Sequence, residues 1–173
     1  MVLLTPSPDA IKEIHAAFIR QYGIAGYMSE GMVEGCLERA MTYVYDFKPF
    51  PKLFLKAAAI LYSFIMFHPF VDGNKRTAFQ TTRIFLRLNG YEFSVEPDEG
   101  VRFTRAIADQ KVTEIQEIVR WLRKHSRRKI RYMIAGFFTK FVLTSLSGTP
   151  KEELKELPKT SRLLVQAIRL YPD

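Results

Sequence analysis

The stretch that decides the fold runs from Leu53 to Gly90 and reads LFLKAAAILYSFIMFHPFVDGNKRTAFQTTRIFLRLNG. Up to Phe67 it is apolar nearly all round, with three consecutive alanines, Ala57 to Ala59. Its length and alanines favour helix over strand, and a helix without a polar face is buried on every side. Pro69 must stop that helix, because the residue before a proline is pushed out of the right-handed helical region. A short polar loop follows to about Asn74. A second helix then runs from Lys75 to Asn89, with Ala78, Thr82, Phe85, Leu86 and Leu88 spaced to pack, and Gly90 stops it.

Working outward from this pair, the remaining chain also reads as helices. Ser7 and Pro8 are an N-cap and a first-turn proline, followed by Ile11, Ile14, Phe18 and Tyr22 at helical spacing and by Gly23 as a stop. Ser29 is an N-cap candidate before the stripe Met32, Val33, Cys36, Leu37, Ala40, Met41 and Val44. Asp46 to Lys52 holds two prolines and is a loop. Tyr91 to Val95 reads as a short extended piece. Pro97 and Asp98 open a helix to about Asp109, and Thr113-Glu114-Ile115-Gln116 fits a capping box for a helix to about His125. Beyond it come a basic run from Arg123 to Arg131, an apolar stretch from Tyr132 to Leu146, a Ser147–Pro150 loop, and a final amphipathic helix expected over Lys151 to Tyr171. There is no internal repeat. The fold class is all-α, a helical bundle around a central buried helix, with a main domain over residues 4–125 and an extension over 126–173.

The bulk properties set limits. The chain has 173 residues, 47% of them hydrophobic and 25% charged, which is globular composition and excludes a disordered or collagen-like chain. Fourteen Phe and eight Tyr supply a substantial core. A single cysteine, Cys36, allows no intramolecular disulfide and no cysteine zinc cluster. Met1 to Pro8 lacks the charged and apolar regions of a signal peptide, and no apolar run approaches the roughly 18 residues of a membrane span, so a cytoplasmic protein is expected. The net charge of +8 attracts anions, whether nucleotide, nucleic acid or an acidic partner, or serves solubility alone.

The loop between the two central helices carries the chemical signal. A helix N-terminus offers unpaired N–H groups and the positive end of a dipole, and so binds phosphate. Gly73 lets a phosphate come close to the backbone. Lys75 and Arg76 add full charge, and Arg76 can grip phosphate oxygens in pairs. Asp72 is a hard oxygen ligand suited to Mg²⁺ held between protein and phosphates. His68 titrates near neutral pH and can accept a proton from an incoming hydroxyl. Singly, each has a plainer reading: a carbonyl-capping histidine, an N-cap aspartate, a solvated basic face. Together, at the end of a fully apolar helix, they point to catalysis.

At these residues the sequence resembles the Fic/Doc family. The Fic pattern H-P-F-x-[D/E]-G-N-G-R-x-x-R is met by His68-Pro69-Phe70, by Asp72-Gly73-Asn74 and by Arg76. The death-on-curing (Doc) branch, H-x-F-x-D-[A/G]-N-K-R-T-A, is met more closely, by Asp72, Asn74, Lys75, Arg76, Thr77 and Ala78. The downstream Phe85-Leu86-Arg87-Leu88-Asn89-Gly90 resembles the same branch. The resemblance implies a Fic/Doc-type bundle with a short target-docking flap before the central helix, at Asp46 to Lys52. It also implies an enzyme that modifies a protein hydroxyl with ATP as co-substrate and Mg²⁺ as cofactor. His68 would be the general base and Asp72 the metal ligand. Gly73, Asn74, Lys75 and Arg76 would bind nucleotide phosphates, and Phe70 would anchor the loop in the core.

Two departures from the Fic pattern bear on the reaction. Lys75 stands at the second glycine, and Phe79 stands where a second arginine would help hold the outer phosphates of ATP. Both resemble Doc, whose members turn ATP round and transfer the γ-phosphate. The expectation is therefore a Doc-like kinase, the toxin of a toxin–antitoxin pair, acting on a Ser/Thr hydroxyl of a target such as a translation factor. The alternatives are a Fic-type AMP transferase, with Arg83 in part replacing the missing arginine, and a non-catalytic nucleotide- or nucleic-acid-binding module. The self-inhibitory [S/T]-x-x-x-E-[G/N] pattern is unmatched, since Gly26, Glu30 and Val95 stand four residues before the glutamates of the three Glu-Gly pairs. Inhibition would then fall to a separate antitoxin or be absent. For the extension, three readings stay open: a packing helix with one charged side, a nucleic-acid contact through residues 123–131, or a dimer or membrane-surface element.

Overall fold

A computed structural model describes residues 3–29, 31–42, 52–132, 139 and 168–171. Its elements in chain order are β1 (Leu3–Pro6), α1 (Pro8–Tyr22), α2 (Met32–Thr42), α3 (Lys52–Met66), α4 (Asn74–Leu88), β2 (Tyr91–Phe93), α5 (Pro97–Ala108), α6 (Ile115–Lys124), β3 (Ser126–Arg128) and β4 (Ile168–Tyr171). The architecture is mostly helical, as the apolar periodicity predicts.

The apolar run at 53–67 becomes α3, the centre of the core. Ala57, Ala58, Ile60, Phe64 and Ile65 have no solvent exposure, and α2, α4, α5 and α6 all pack against this helix. Lys56 is buried within it, with Nζ donating to the Met41 carbonyl at the end of α2, where the helix dipole favours a cation. Cys36 is buried beside Ser63, and burial pushes its thiol up to about 11. At the other end of the core, the Trp121 ring stacks on Phe103 at 4.0 Å and Nε1 donates to Glu99.

Two small antiparallel ladders differ from the sequence reading. β1 pairs with β4, Leu3 opposite Tyr171 and Pro6 opposite Ile168. The last four residues of the expected helix at 151–171 are thus a strand, and 151–167 lie outside the described residues. β2 pairs with β3, Tyr91 opposite Arg128 and Phe93 opposite Ser126, so the extended piece at Tyr91 has a partner just past α6. Asn89 joins β1 to α4: its Oδ1 accepts from Leu4 N–H, and its Nδ2 donates to the carbonyls of Leu4 and Phe85.

Two helix starts differ from the sequence expectation. The capping box at Thr113 does not form, because α6 starts at Ile115 with Glu114 as its N-cap and no side-chain cap bond. Lys111 and Val112 N–H both donate to the Ala106 carbonyl, and that turn fixes where the helix can begin. Nor does Ser29 cap α2: the helix starts at Met32, with Gly35 N–H donating to Gly31. The flap expected at 46–52 lies outside the described residues except Lys52, the first residue of α3, and of the apolar stretch 132–146 only 132 and 139 are described.

In the basic run, Lys129 Nζ lies 3.0 Å and Arg131 3.3 Å from the carboxylate of Glu92 on β2. The Lys129 hydrogen bond holds that carboxyl below its ordinary range. These cations are thus used within the chain. No helix among the described residues is long and apolar enough to cross a membrane.

Candidate active site

The site is built where α3 ends and α4 begins. Phe67 N–H still donates to Ser63 O, and Pro69 then bars His68 from the right-handed helix; instead of the extended backbone a following proline favours, His68 takes a positive φ of 45°. For a residue with a Cβ this backbone is uncommon and stores strain, so the surrounding contacts must hold it. They are plain to see. Phe70 is fully buried, and its main chain is clamped by Asn74, with Phe70 N–H donating to Oδ1 at 3.0 Å and Nδ2 donating to the Phe70 carbonyl at 2.7 Å. A strap from α1 lies alongside: Met28 N–H donates to Pro69 O and Val71 N–H to Gly26 O, an isolated bridge between Tyr27 and Phe70.

The loop turns into α4 at Gly73, whose φ of 75° suits a residue without a Cβ; a Cβ there would also press on Ile19 and His15. Gly73 is the N-cap and supplies no side-chain cap. The first helical bond is Thr77 N–H to Gly73 O, so the N–H groups of Asn74, Lys75 and Arg76 lie ahead of the helical ladder. Asp72 accepts from Gly73 N–H through Oδ1. His68, Asp72, Gly73, Asn74, Lys75 and Arg76 line one cavity of about 450 Å³, closed on its other side by Phe18, Ile19 and Val71. The imidazole, the carboxylate and both cations are exposed at its mouth.

The six sequence-predicted residues therefore share one cavity, but their parts differ from the expectation in one respect. The Asn74 amide is engaged with Phe70 on both sides, so toward an anion this residue offers its main-chain N–H. Asp72 suits Mg²⁺. It is a single exposed carboxylate beside free N–H donors, and the described residues hold no cluster of three His, Cys, Asp or Glu. That matches an ion held mainly by substrate phosphates and water rather than by a protein cage.

Sequence reasoning missed His15. It lies on the buried side of α1, its ring stacked on Phe70 at 3.7 Å and 10°, with Nδ1 3.3 Å from Thr77 Oγ1 on α4. Its Nε2 is buried without a hydrogen-bond partner among the described residues. Burial lowers its pKa, and the Asp72 carboxylate acts in the opposite sense. The available signal was spacing: Ile11, His15 and Ile19 recur every four residues, a histidine within an apolar stripe.

A family model described as the Fic/DOC family matches residues 5–86, which include the loop and most of α4. The protein named "Toxin Doc" of Mycolicibacterium smegmatis is 38% identical over 68 residues, 39% of this chain and 52% of that protein. The protein named "Protein kinase doc" of Escherichia phage P1 is 32% identical over 93 residues, 53% of this chain and 73% of that protein.

Proposed function

From the premise that the chain belongs to the Fic/DOC family, we propose that it is a protein kinase of the Doc type, which moves the γ-phosphate of ATP to a Ser/Thr hydroxyl of a target protein. The observation that carries this reading is the stripe along α4. Lys75 and Arg76 face the cavity of His68, and one turn further along α4 the ring of Phe79 stands where the Fic pattern has its second arginine. An AMP transferase leaves the two outer phosphates of ATP to be held beyond the reacting one, and an aromatic ring does that poorly. A kinase needs only the terminal phosphate at the loop. The name of the phage P1 relative, a protein kinase, agrees.

In this mechanism His68 accepts the proton of the acceptor hydroxyl as its oxygen attacks the γ-phosphorus. The bond from that phosphorus to the β–γ bridging oxygen breaks, and ADP leaves. Arg76, Lys75 and the N–H groups at the start of α4 hold the transferring oxygens, so catalysis is positioning plus charge stabilisation. Mg²⁺, when bound, would neutralise phosphate charge beside Asp72. The strap at Gly26–Met28 and the Asn74 clamp hold the main chain of the loop that carries His68 and Asp72. The catalytic unit is residues 4–125, and residues 126–173 are an extension that packs back through β3 and β4. The partners are a protein target, such as a translation factor, and a proteinaceous antitoxin in trans, in keeping with the name of the Mycolicibacterium relative.

Expression in a growing culture tests the reading. Wild type arrests growth and labels extract proteins from γ-labelled ATP, whereas His68→Ala does neither. Equal arrest by both proteins counts against a catalytic toxin.

A further inference from the structure

The mechanism leaves one buried, polar side chain unused, that of His15. It stands at the midpoint of α1 with 4% of its surface exposed, and it meets the phosphate loop at three places. Its ring lies flat on Phe70, with 3.7 Å between centroids and 10° between planes. Its Nδ1 is 3.3 Å from Thr77 Oγ1, in the first turn of α4. The ring edge from Nδ1 to Cε1 faces Gly73, where a Cβ would stand 3.5 and 3.4 Å from those two atoms. Phe70, Gly73 and Thr77 bracket Asp72, Asn74, Lys75 and Arg76. One side chain from another helix therefore touches both ends and the turn of the segment that carries the chemistry.

Packing alone does not call for a histidine here. A phenylalanine could make the same stack and strand no polar atom, whereas the imidazole buries Nε2 without a hydrogen-bond partner among the described residues. A buried polar atom left unpaired opposes folding. The nitrogen that is used, Nδ1, goes to Thr77, a fully buried residue whose N–H makes the first bond of the α4 ladder, to the Gly73 carbonyl. The N–H groups of Asn74, Lys75 and Arg76 lie ahead of that bond, so their directions follow from how the first turn is held. Asn74 holds the loop by the main chain of Phe70, and His15 holds it by the Phe70 ring and by the start of the helix.

We propose that His15 is a positioning residue for phosphate transfer: it touches no substrate, and through Phe70, Gly73 and Thr77 it sets where the N–H groups at the start of α4 stand as charge develops on the transferring phosphate. This rests on the reading of the loop as a phosphate site, and not on which phosphorus of ATP moves. Donors that stabilise developing charge act on turnover more than on binding. The exposed side chains of Lys75 and Arg76 go on attracting the ground-state phosphates when the N–H groups are misplaced.

The rate of label transfer from ATP to the proteins of a desalted cell extract, measured over a range of ATP concentrations, tests this with His15→Phe, Thr77→Val and the double variant. His15→Phe keeps the stack and removes the bond to Thr77; Thr77→Val removes the same bond from its other end. Each should lower the maximal rate about tenfold or more, with the KM for ATP within about threefold and the circular dichroism at neutral pH unchanged, since a misplacement of about 1 Å can cost ~10²-fold in rate. The double variant should lose no more than either single one, because the two residues act through one contact. Losses that multiply, a loss confined to KM, or a rate per folded protein within about twofold of wild type in both single variants overturns the proposal and leaves His15 a packing residue. A second arm needs no turnover and follows the amide signals of Lys75 and Arg76 in ¹⁵N–¹H spectra as inorganic triphosphate is added. At saturation they should move less than about half as far in either single variant as in the wild type, and equal movement overturns the proposal. A wild type that transfers no label sinks the kinase reading alone, because the spectra still decide this one. A wild type in which triphosphate moves neither signal sinks both.

Discussion

Asn74→Ala is the sharpest test of how the loop is held. The side chain is 8% exposed and makes two hydrogen bonds to the main chain of Phe70, a residue with no exposure at all. Alanine would leave a buried N–H and a buried carbonyl without partners. Stranding a buried polar group costs about 1–3 kcal/mol, and because the two share one peptide neighbourhood and can relax together, roughly 2–4 kcal/mol is expected in total. A domain of this size loses about 2–4 °C in melting temperature per kcal/mol, so the midpoint should fall by about 5–15 °C. Urea titration of wild type and variant, followed by circular dichroism, measures the difference directly. Asn74→Asp separates the two bonds, since the carboxylate still accepts from Phe70 N–H but cannot donate to its carbonyl. It should lose about half as much or somewhat more. If Asn74→Ala costs less than about 0.5 kcal/mol, the scale of an ordinary surface substitution, while abolishing triphosphate binding, then the amide serves the ligand and the clamp argument is wrong.

Two further outcomes follow from the same geometry. Burial lowers the His15 pKa below 6.5, so the unfolded chain binds a proton that the folded chain refuses. Stability is therefore retained above about pH 6.5 and falls as the pH drops from there to the lowered folded-state value, below which the loss levels off. His15→Phe, which keeps the stack on Phe70, should flatten that decline; an equally steep decline in the variant would clear His15 of responsibility. Phe79→Arg puts a cation where the Fic pattern has its second arginine, and should cut γ-phosphate transfer at least tenfold while allowing transfer of α-label to appear. Unchanged γ-transfer would show that the ring has no part in orienting the donor.

The fold was legible where burial is written along the chain. Leu53 to Phe67 has no polar face, so only a central helix suits it, and Pro69 marks its end without ambiguity. The site was legible for a related reason: the six residues that line the His68 cavity fall within nine positions, so local sequence brings them together whatever the rest of the chain does. Contacts made across the chain were not legible. Leu3–Pro6 and Ile168–Tyr171 are four-residue strands at opposite ends of the chain, too short to show a period of two, and their pairing is a matter of register alone. His15 meets Phe70 and Thr77 from 55 and more residues away, and nothing in its own helix names those partners. Asn74 shows the intermediate case. The residue type at a helix start suggests a phosphate ligand, but the four-residue spacing to Phe70 is also that of a side chain closing a loop on its own backbone, and the closure takes both ends of the amide.

The central claim is that the terminal phosphorus of ATP faces His68. It is tested most directly by incubating the protein, Mg²⁺ and a cell extract with γ-labelled ATP and, in parallel, with α-labelled ATP. Protein-bound label from the γ-position only, lost in His68→Ala, is the expected result. Label from the α-position only would mean that the donor lies the other way round and that Phe79 and Lys75 do not set its direction.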